Sequence, residues 1–225
     1  MEIKMAPSIL AADIVNLGRD VQMVEEAGAE YLHIDIMDGH FVPNLSFGPH
    51  LVKRLRKTSK MFFDVHLMIS EPEKYIDIFA KNGADLITFH YEAAENPEAV
   101  LKLAEQIHAH GIKAGISIKP KTSAEVLKGL LSAFELVLIM SVEPGFGGQS
   151  YIDDVNEKIS RLALMAKEEN PNIEIEVDGG ITADNIHVPT AAGANVLVAG
   201  SSVFGAEDPK AAVALLRANA NEAVK

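Results

Sequence analysis

Short runs rich in Ile, Val, Leu and Phe recur along this chain, each followed by a longer stretch of mixed polarity. They read MAPSIL near residue 5, YLHIDIM near 31, FFDVHLM near 62, DLITFHY near 85, KAGISI near 113, LVLIMSV near 136, IEIEVDGG near 173 and VLVAGSSV near 196, eight in all. The stretches between them, such as PEAVLKLAEQIHAH (97–110) and PKAAVALLRANA (209–220), repeat apolar residues at helical spacing. Alternating strand and helix at a period of roughly 25–30 residues calls for parallel strands with crossover helices, since no tight hairpin can join parallel neighbours. Eight such units close a sheet on itself, so the chain is predicted to be an α/β protein, a single (β/α)₈ TIM barrel domain over 1–225. Three phrases, EEAGAEYL, AKNGADLI and AAGANVLV, set a Gly-Ala pair between helix and strand, where glycine suits the left-handed residue that stops a helix.

The competing architecture is an open doubly wound sheet. Its G-x-G-x-x-G signature is missing, because LAADIVNLG follows the first run, and there is no P-loop pattern either. No linker, low-complexity run or charge block divides the chain; the least typical connection, 142–156, carries glycines that suit a working loop. One departure stands in NIHVPTAAGAN, where Pro189 is expected to kink or shorten the seventh helix.

Composition narrows the function classes. With no cysteine, a metal must be held by His, Asp, Glu or backbone oxygen. A formal charge of −12 with scattered basic residues argues against nucleic acid, while a small phosphate can still bind at backbone N–H groups. MEIKMAPSIL lacks the pattern of a secretory signal and no apolar stretch approaches the ~20 residues of a membrane span, so a cytoplasmic protein without membrane contact is expected.

Chemistry in such a barrel sits at the C-terminal ends of the strands. Polar and sulfur side chains expected there are Ser8; His33, Asp35 and Met37; His66 and Met68; His90 and Glu92; Met140 and Ser141; and Asp178. Alternation puts His33, Asp35 and Met37 on one face, as it does His66 and Met68. A His-x-Asp on one strand, a His on the next and Asp178 across the barrel suit one divalent cation, Zn²⁺ first, with Fe²⁺, Mn²⁺ or Co²⁺ also compatible. Asp35 and Asp178, reaching the mouth from different sides, could instead or also move a proton between the two faces of a carbon. Either aspartate could alternatively be a turn or cap carboxylate.

Glycines cluster after runs six, seven and eight, in EPGFGGQS (143–150), DGGIT (178–182) and AGSSVF (199–204). Barrels frequently bind phosphate at the last two of these loops, so a phosphorylated substrate is expected. Met37, Met68 and Met140 are either core filler or a flexible apolar collar over the site. Lys119 raises a Schiff-base reading against a solvated lysine turned outward by Pro120. Asp38, out of phase with His33 and Asp35, is expected to turn the chain with Gly39 into the HFVPN loop.

Taken together, APSILAAD (6–13), HIDIMDGHFVPNLSFGP (33–49), FDVHLMI (63–69), ITFHYEA (87–93), SVEPGFGGQ (141–149), EVDGGI (176–181) and VAGSSVF (198–204) closely resemble the ribulose-phosphate 3-epimerase family over essentially the whole chain. The resemblance implies an enzyme of the pentose phosphate pathway interconverting D-ribulose 5-phosphate and D-xylulose 5-phosphate. It places metal ligands at His33, Asp35, His66 and Asp178, with Asp35 and Asp178 as the catalytic acid/base pair. Ser8 and His66 match sugar contacts, and Gly145, Phe146, Gly147, Gly148, Gly179, Gly180, Gly200 and Ser201 match the phosphate-side loops beside Asp178. The three methionines match residues lining the site, which favours the collar. Homo-oligomers, dimer or hexamer, are compatible with it. The nearest alternative is a hexulose 6-phosphate 3-epimerase with the same acids and metal. A related decarboxylase is disfavoured because 35–38 reads Asp-Ile-Met-Asp without lysine, and a barrel that only binds phosphate would not need both acids.

Overall fold

The computed structural model describes residues 2–224. Eight strands, β1 Lys4–Pro7, β2 Tyr31–Met37, β3 Phe62–Met68, β4 Leu86–His90, β5 Lys113–Ile118, β6 Leu136–Met140, β7 Glu174–Asp178 and β8 Val196–Ala199, form one parallel sheet in the order β1-β8-β7-β6-β5-β4-β3-β2. The remaining seam, between β1 and β2, is joined by a parallel bridge from Ser8 to His33. All seven residues of β2 are buried, because one face meets helices and the other fills the barrel. Leu32, Ile34 and Ile36 belong to the outer core with Val21, Val24 and Val52, while Ala6, Leu86, Leu138 and Val198 pack in a separate interior cluster.

Seven helices follow strands on the outside or close the chain: α1 Leu17–Glu26, α2 Pro49–Leu55, α3 Ile76–Lys81, α4 Pro97–His108, α5 Val155–Glu169, α6 His187–Ala192 and α8 Pro209–Glu222; a further one-turn helix, α7 Ser201–Phe204, sits between β8 and α8. The starts of α4 and α8 follow from local chemistry. Asn96 accepts from the Ala99 N–H, Asp208 accepts from the Lys210 and Ala211 N–H groups, and a proline follows each cap. Such caps contribute about 1 kcal/mol each.

The three Gly-Ala phrases end α1, α3 and α6 alike. Gly28, Gly83 and Gly193 all take positive φ, and Ala29, Ala84 and Ala194 each donate N–H to the carbonyl five residues back, at 3.0–3.2 Å. That is the Schellman closure, and it delivers a buried alanine to the start of the next strand. Pro189 lies in the first turn of the six-residue α6, where its missing N–H costs little, so this helix is short as expected.

The fifth crossover departs from strict alternation. Instead of an α-helix, 3₁₀ turns Ala124–Leu127 and Leu131–Ala133 lead from β5 to β6. Ser123 caps the first turn by accepting from Glu125; Lys128 then leaves the helical region at ψ 127°, and Gly129 at φ +79° completes a tight turn closed by the Leu130 N–H donating to the Leu127 carbonyl. Leu127 and Leu131 are still fully buried, so the segment covers the barrel without a regular helix.

Candidate active site

β2, β3 and β7 bring four side chains to one point at the C-terminal mouth. The register pairs Asp35 with His66 and Met37 with Met68, and β6–β7 pairing sets Met140 beside Asp178. One ligand atom from each of His33, Asp35, His66 and Asp178 lies within 4.8 Å of the others, a group that could hold a divalent cation. Asp35 Oδ1 stands 3.3 Å from both His33 Nε2 and His66 Nδ1, and Asp178 Oδ2 is 3.9 Å from His33 Nε2. Across the seam, Ser8 Oγ–H donates to Asp35 Oδ2 at 2.6 Å.

The donor set suits a positive charge. His33 Nδ1 meets Asp64 Oδ2 at 2.5 Å, which fixes the proton on that nitrogen and leaves Nε2 buried without a hydrogen-bond partner among the described residues. A lone pair aimed at two carboxylates is repulsive unless a proton or a cation lies between. Without a cation the protein answers with protons: burial opposes charging His33, yet Asp35 and Asp64 outweigh it and hold its pKa well above the ordinary value. Burial likewise opposes ionising Asp35, but His33 and His66 outweigh it and pull its pKa down. Asp178 goes the other way, raised to about 6 by burial and then by the Asp35 charge. Two carboxylates thus sit side by side with opposite shifts.

Above them opens a cavity of about 220 Å³ lined by Ser8, Asp35, the three methionines, Asp178 and the glycine loops Gly145–Gly148, Gly179–Gly180 and Gly200–Ser201. Consecutive glycines at 179 and 180 have φ of +127° and +66°, and a Cβ on Gly180 would lie 2.3 Å from the Tyr151 nitrogen. Only glycine lets β7 turn this tightly against the loop from β6. That loop is tied twice: Asn44 Nδ2–H donates to the Gly145 carbonyl at 2.8 Å, and Gln149 Nε2–H donates to Glu143 and Phe146 carbonyls. Asp38 turns the HFVPN segment as expected, its carboxylate accepting from the N–H groups of His40, Phe41 and Ser70, each at 2.8 Å.

His33 and His66 lie fully buried beneath the cavity floor rather than lining it. Met37 and Met68 pack with Val42, Leu10 and Phe41 and also line the cavity, so core and collar are the same residues. Lys119 lies outside the cavity lining; its ammonium sits over the Phe41 ring, 4.0 Å from the centroid, and its N–H donates to Glu92. Sequence reasoning assigned nothing to Asp64 and Glu176, both fully buried beside His33, with Glu176 Oε1 3.5 Å from its Nδ1. Alternation carried the signal, since 64 shares its face with 66 and 176 with 178.

Fold and site together define a (β/α)₈ barrel enzyme whose polar groups converge at the strand C-termini. Residues 4–204 match the model of the Ribulose-phosphate 3 epimerase family. The chain is 46% identical to a ribulose-phosphate 3-epimerase of Eremothecium gossypii, covering 98% of this chain and 94% of that one. It is 44% identical to that of Bacillus subtilis, over 96% of this chain and 98% of the other. Solved structures with similar folds include a 3-hexulose-6-phosphate synthase from Salmonella typhimurium (TM-score 0.72, 13% identity, 98% and 99% covered). Another is KGPDC from Streptococcus mutans (TM-score 0.74, 14% identity, 99% of each covered). The chain belongs to the ribulose-phosphate 3-epimerase family and is an isomerase.

Proposed function

We propose that the protein interconverts D-ribulose 5-phosphate and D-xylulose 5-phosphate by moving a proton at C3 through an enediolate. The observation that carries this reading is the pair of carboxylates facing one cavity with opposite shifts, Asp35 held ionised and Asp178 raised to about 6. A base and an acid are what a two-sided proton transfer requires, and unlike environments are how two aspartates divide those roles. Asp35, on β2, takes the C3 proton from one face; Asp178, on β7, delivers one to the other, and the reverse reaction exchanges the roles. The Ser8 hydroxyl, on the cavity wall, steadies Asp35 on the sugar side, while His66, beneath the floor, reaches the site through its Nδ1 toward Asp35.

His33, Asp35, His66 and Asp178 would hold a divalent cation, Zn²⁺ before Fe²⁺, Mn²⁺ or Co²⁺, which when bound supplies Lewis-acid stabilisation of the oxyanion. The glycine loops around Gly145–Gly148, Gly179–Gly180 and Gly200–Ser201 offer backbone N–H groups to the phosphate, and Phe146, 55% exposed on the first of them, stands at the rim. Met37, Met68 and Met140 keep water from the reacting carbon. No described helix is long and apolar enough to cross a membrane; a cytoplasmic setting, expected from the sequence, and a homo-oligomer, dimer or hexamer, compatible with the family resemblance, complete this reading.

The test is to incubate ribulose 5-phosphate, protein and a divalent cation in D₂O and follow C3 by NMR. Deuterium incorporation with appearance of xylulose 5-phosphate is expected; neither, with cation bound, refutes the proposal.

A further inference from the structure

Behind His66 lies a buried chain of polar groups that the proposed proton transfer does not use. His66 Nε2 is 2.9 Å from His90 Nε2, and both rings are fully buried. The β3–β4 register pairs His66 with Thr88, so His90 stands two residues further along the same inward face. On its far side His90 Nδ1 faces Glu92 Oε2 at 3.4 Å, and neither atom has another partner among the described residues. The other Glu92 oxygen is already taken, accepting from the Lys119 N–H at 2.8 Å and from the Thr122 hydroxyl. Phe41 covers the His90 ring, centroids 4.8 Å apart.

Two imidazole nitrogens in hydrogen-bond contact need one donor and one acceptor. If His90 donates, its Nδ1 carries a lone pair aimed at a carboxylate, two acceptors in a buried place with nothing to compensate. His66 then holds its own proton on Nδ1 and donates it to Asp35 Oδ1, 3.3 Å away. If His66 donates instead, His90 bears its proton on Nδ1 toward Glu92, and His66 Nδ1 keeps a lone pair pointing at the cluster 3.3 Å from Asp35 Oδ1. Each arrangement leaves one lone pair facing a carboxylate, at Glu92 in the first and at Asp35 in the second. A cation held between His66 Nδ1 and Asp35 relieves the second alone, so with a cation in place it is the second arrangement that satisfies the chain.

We propose that Glu92 and His90 are positioning residues that fix the tautomer of His66, keeping the proton on Nε2 and Nδ1 free to ligate a cation. This rests on the cation reading of the site given above. It also separates the two histidines by mechanism: Asp64 holds His33 through Nδ1 so that Nε2 faces inward, whereas His90 holds His66 through Nε2 so that Nδ1 does. Supports of this kind typically contribute about 10–100-fold to metal affinity.

The first arm of the test uses Zn²⁺-loaded protein with isotope-labelled histidine. Long-range proton–nitrogen correlation at alkaline pH, where imidazole is neutral, reads which ring nitrogen is protonated. His66 protonated on Nε2 and His90 on Nδ1 are expected; His66 protonated on Nδ1 overturns the proposal. The second arm measures Zn²⁺ affinity by competition with a chelator. His90→Phe fills the space but accepts nothing, so the His66 proton moves to Nδ1 and affinity falls about 10–100-fold. His90→Gln returns a carbonyl acceptor and recovers most of the loss. Unchanged affinity in His90→Phe, or His90→Gln no better than His90→Phe, overturns the proposal. The wild-type spectrum decides the tautomer even where a variant fails to fold. Failure of the wild type to bind Zn²⁺ defeats the cation reading itself, whereas bound Zn²⁺ with the His90 proton on Nε2 defeats this proposal alone.

Discussion

Replacing Asp178 by asparagine should make the metal-free protein more stable while cutting turnover by orders of magnitude. The Asp178 carboxyl is held at about 6 against 3.8 for a free aspartate, by burial and by the Asp35 charge. The folded chain therefore keeps a proton there that the unfolded chain has released, and stability falls as pH rises from about 4 to about 6. At about 1.36 kcal/mol per tenfold change in proton affinity, ionised Asp178 costs the cation-free fold on the order of 3 kcal/mol above that window. Asparagine keeps the shape and carries no charge, so this cost disappears. For a chain of this size ~2–4 °C per kcal/mol makes the metal-free Asp178→Asn protein melt roughly 6–12 °C higher at neutral pH, with the two curves converging near pH 4. Losing a positioned acid should cost about 10²–10⁴ in kcat. The assay is calorimetric melting with chelator across pH, paired with a coupled epimerase assay on the metal-loaded proteins. A metal-free variant melting at or below the wild type at neutral pH refutes the electrostatic account; near-normal kcat removes Asp178 from the chemistry.

Other perturbations address the walls of the site. Protons compete with a cation for Asp178 as well as for His33, so the fall of Zn²⁺ affinity with pH should steepen by about a further tenfold per pH unit below about 6, read by titration calorimetry; a slope unchanged between neutrality and pH 5 would contradict the place of Asp178 among the ligands. Gly180→Ala sets a Cβ 2.3 Å from the Tyr151 nitrogen at φ +66°, and should cost about 1–3 kcal/mol in thermal melts and raise KM for the phosphorylated substrate. Asp38→Ala removes the acceptor for three backbone N–H groups in and beside the HFVPN loop; a loss of about 1–3 kcal/mol in denaturant melts is expected, with KM rising more than kcat falls.

Periodicity made the eight strands and their inward faces readable, and parity along β2 placed His33 and Asp35 together before any contact was known. The Gly-Ala phrases announced three helix ends because Schellman geometry is local. The fifth crossover departs from the expected helix for the opposite reason: its apolar spacing is satisfied by two 3₁₀ turns, and the decision between them lies in the Lys128–Gly129 turn between buried leucines. Asp64, Glu176 and the His90–Glu92 pair went unassigned because a buried carboxylate acquires meaning only from the atom opposite it. His90 and Glu92 were visible as strand-end residues, but the tautomer they impose depends on a cross-strand contact that no spacing along one strand encodes.

The uneven closure of the barrel has a consequence for how the protein assembles. β1 pairs with β8 at four positions, joining residues near the two ends of the chain, whereas its other edge meets β2 through the Ser8–His33 bridge. Such long-range pairing is slow to form in a folding chain. The hydroxyl that holds Asp35 reaches it only across that seam, so an open sheet of β2 to β8 would lack Ser8 and would leave Asp178 on β7 five strands from β2 instead of beside His33. Gain of activity during refolding should then lag behind gain of secondary structure, and the enzyme itself becomes the clock that records when its first and last strands meet.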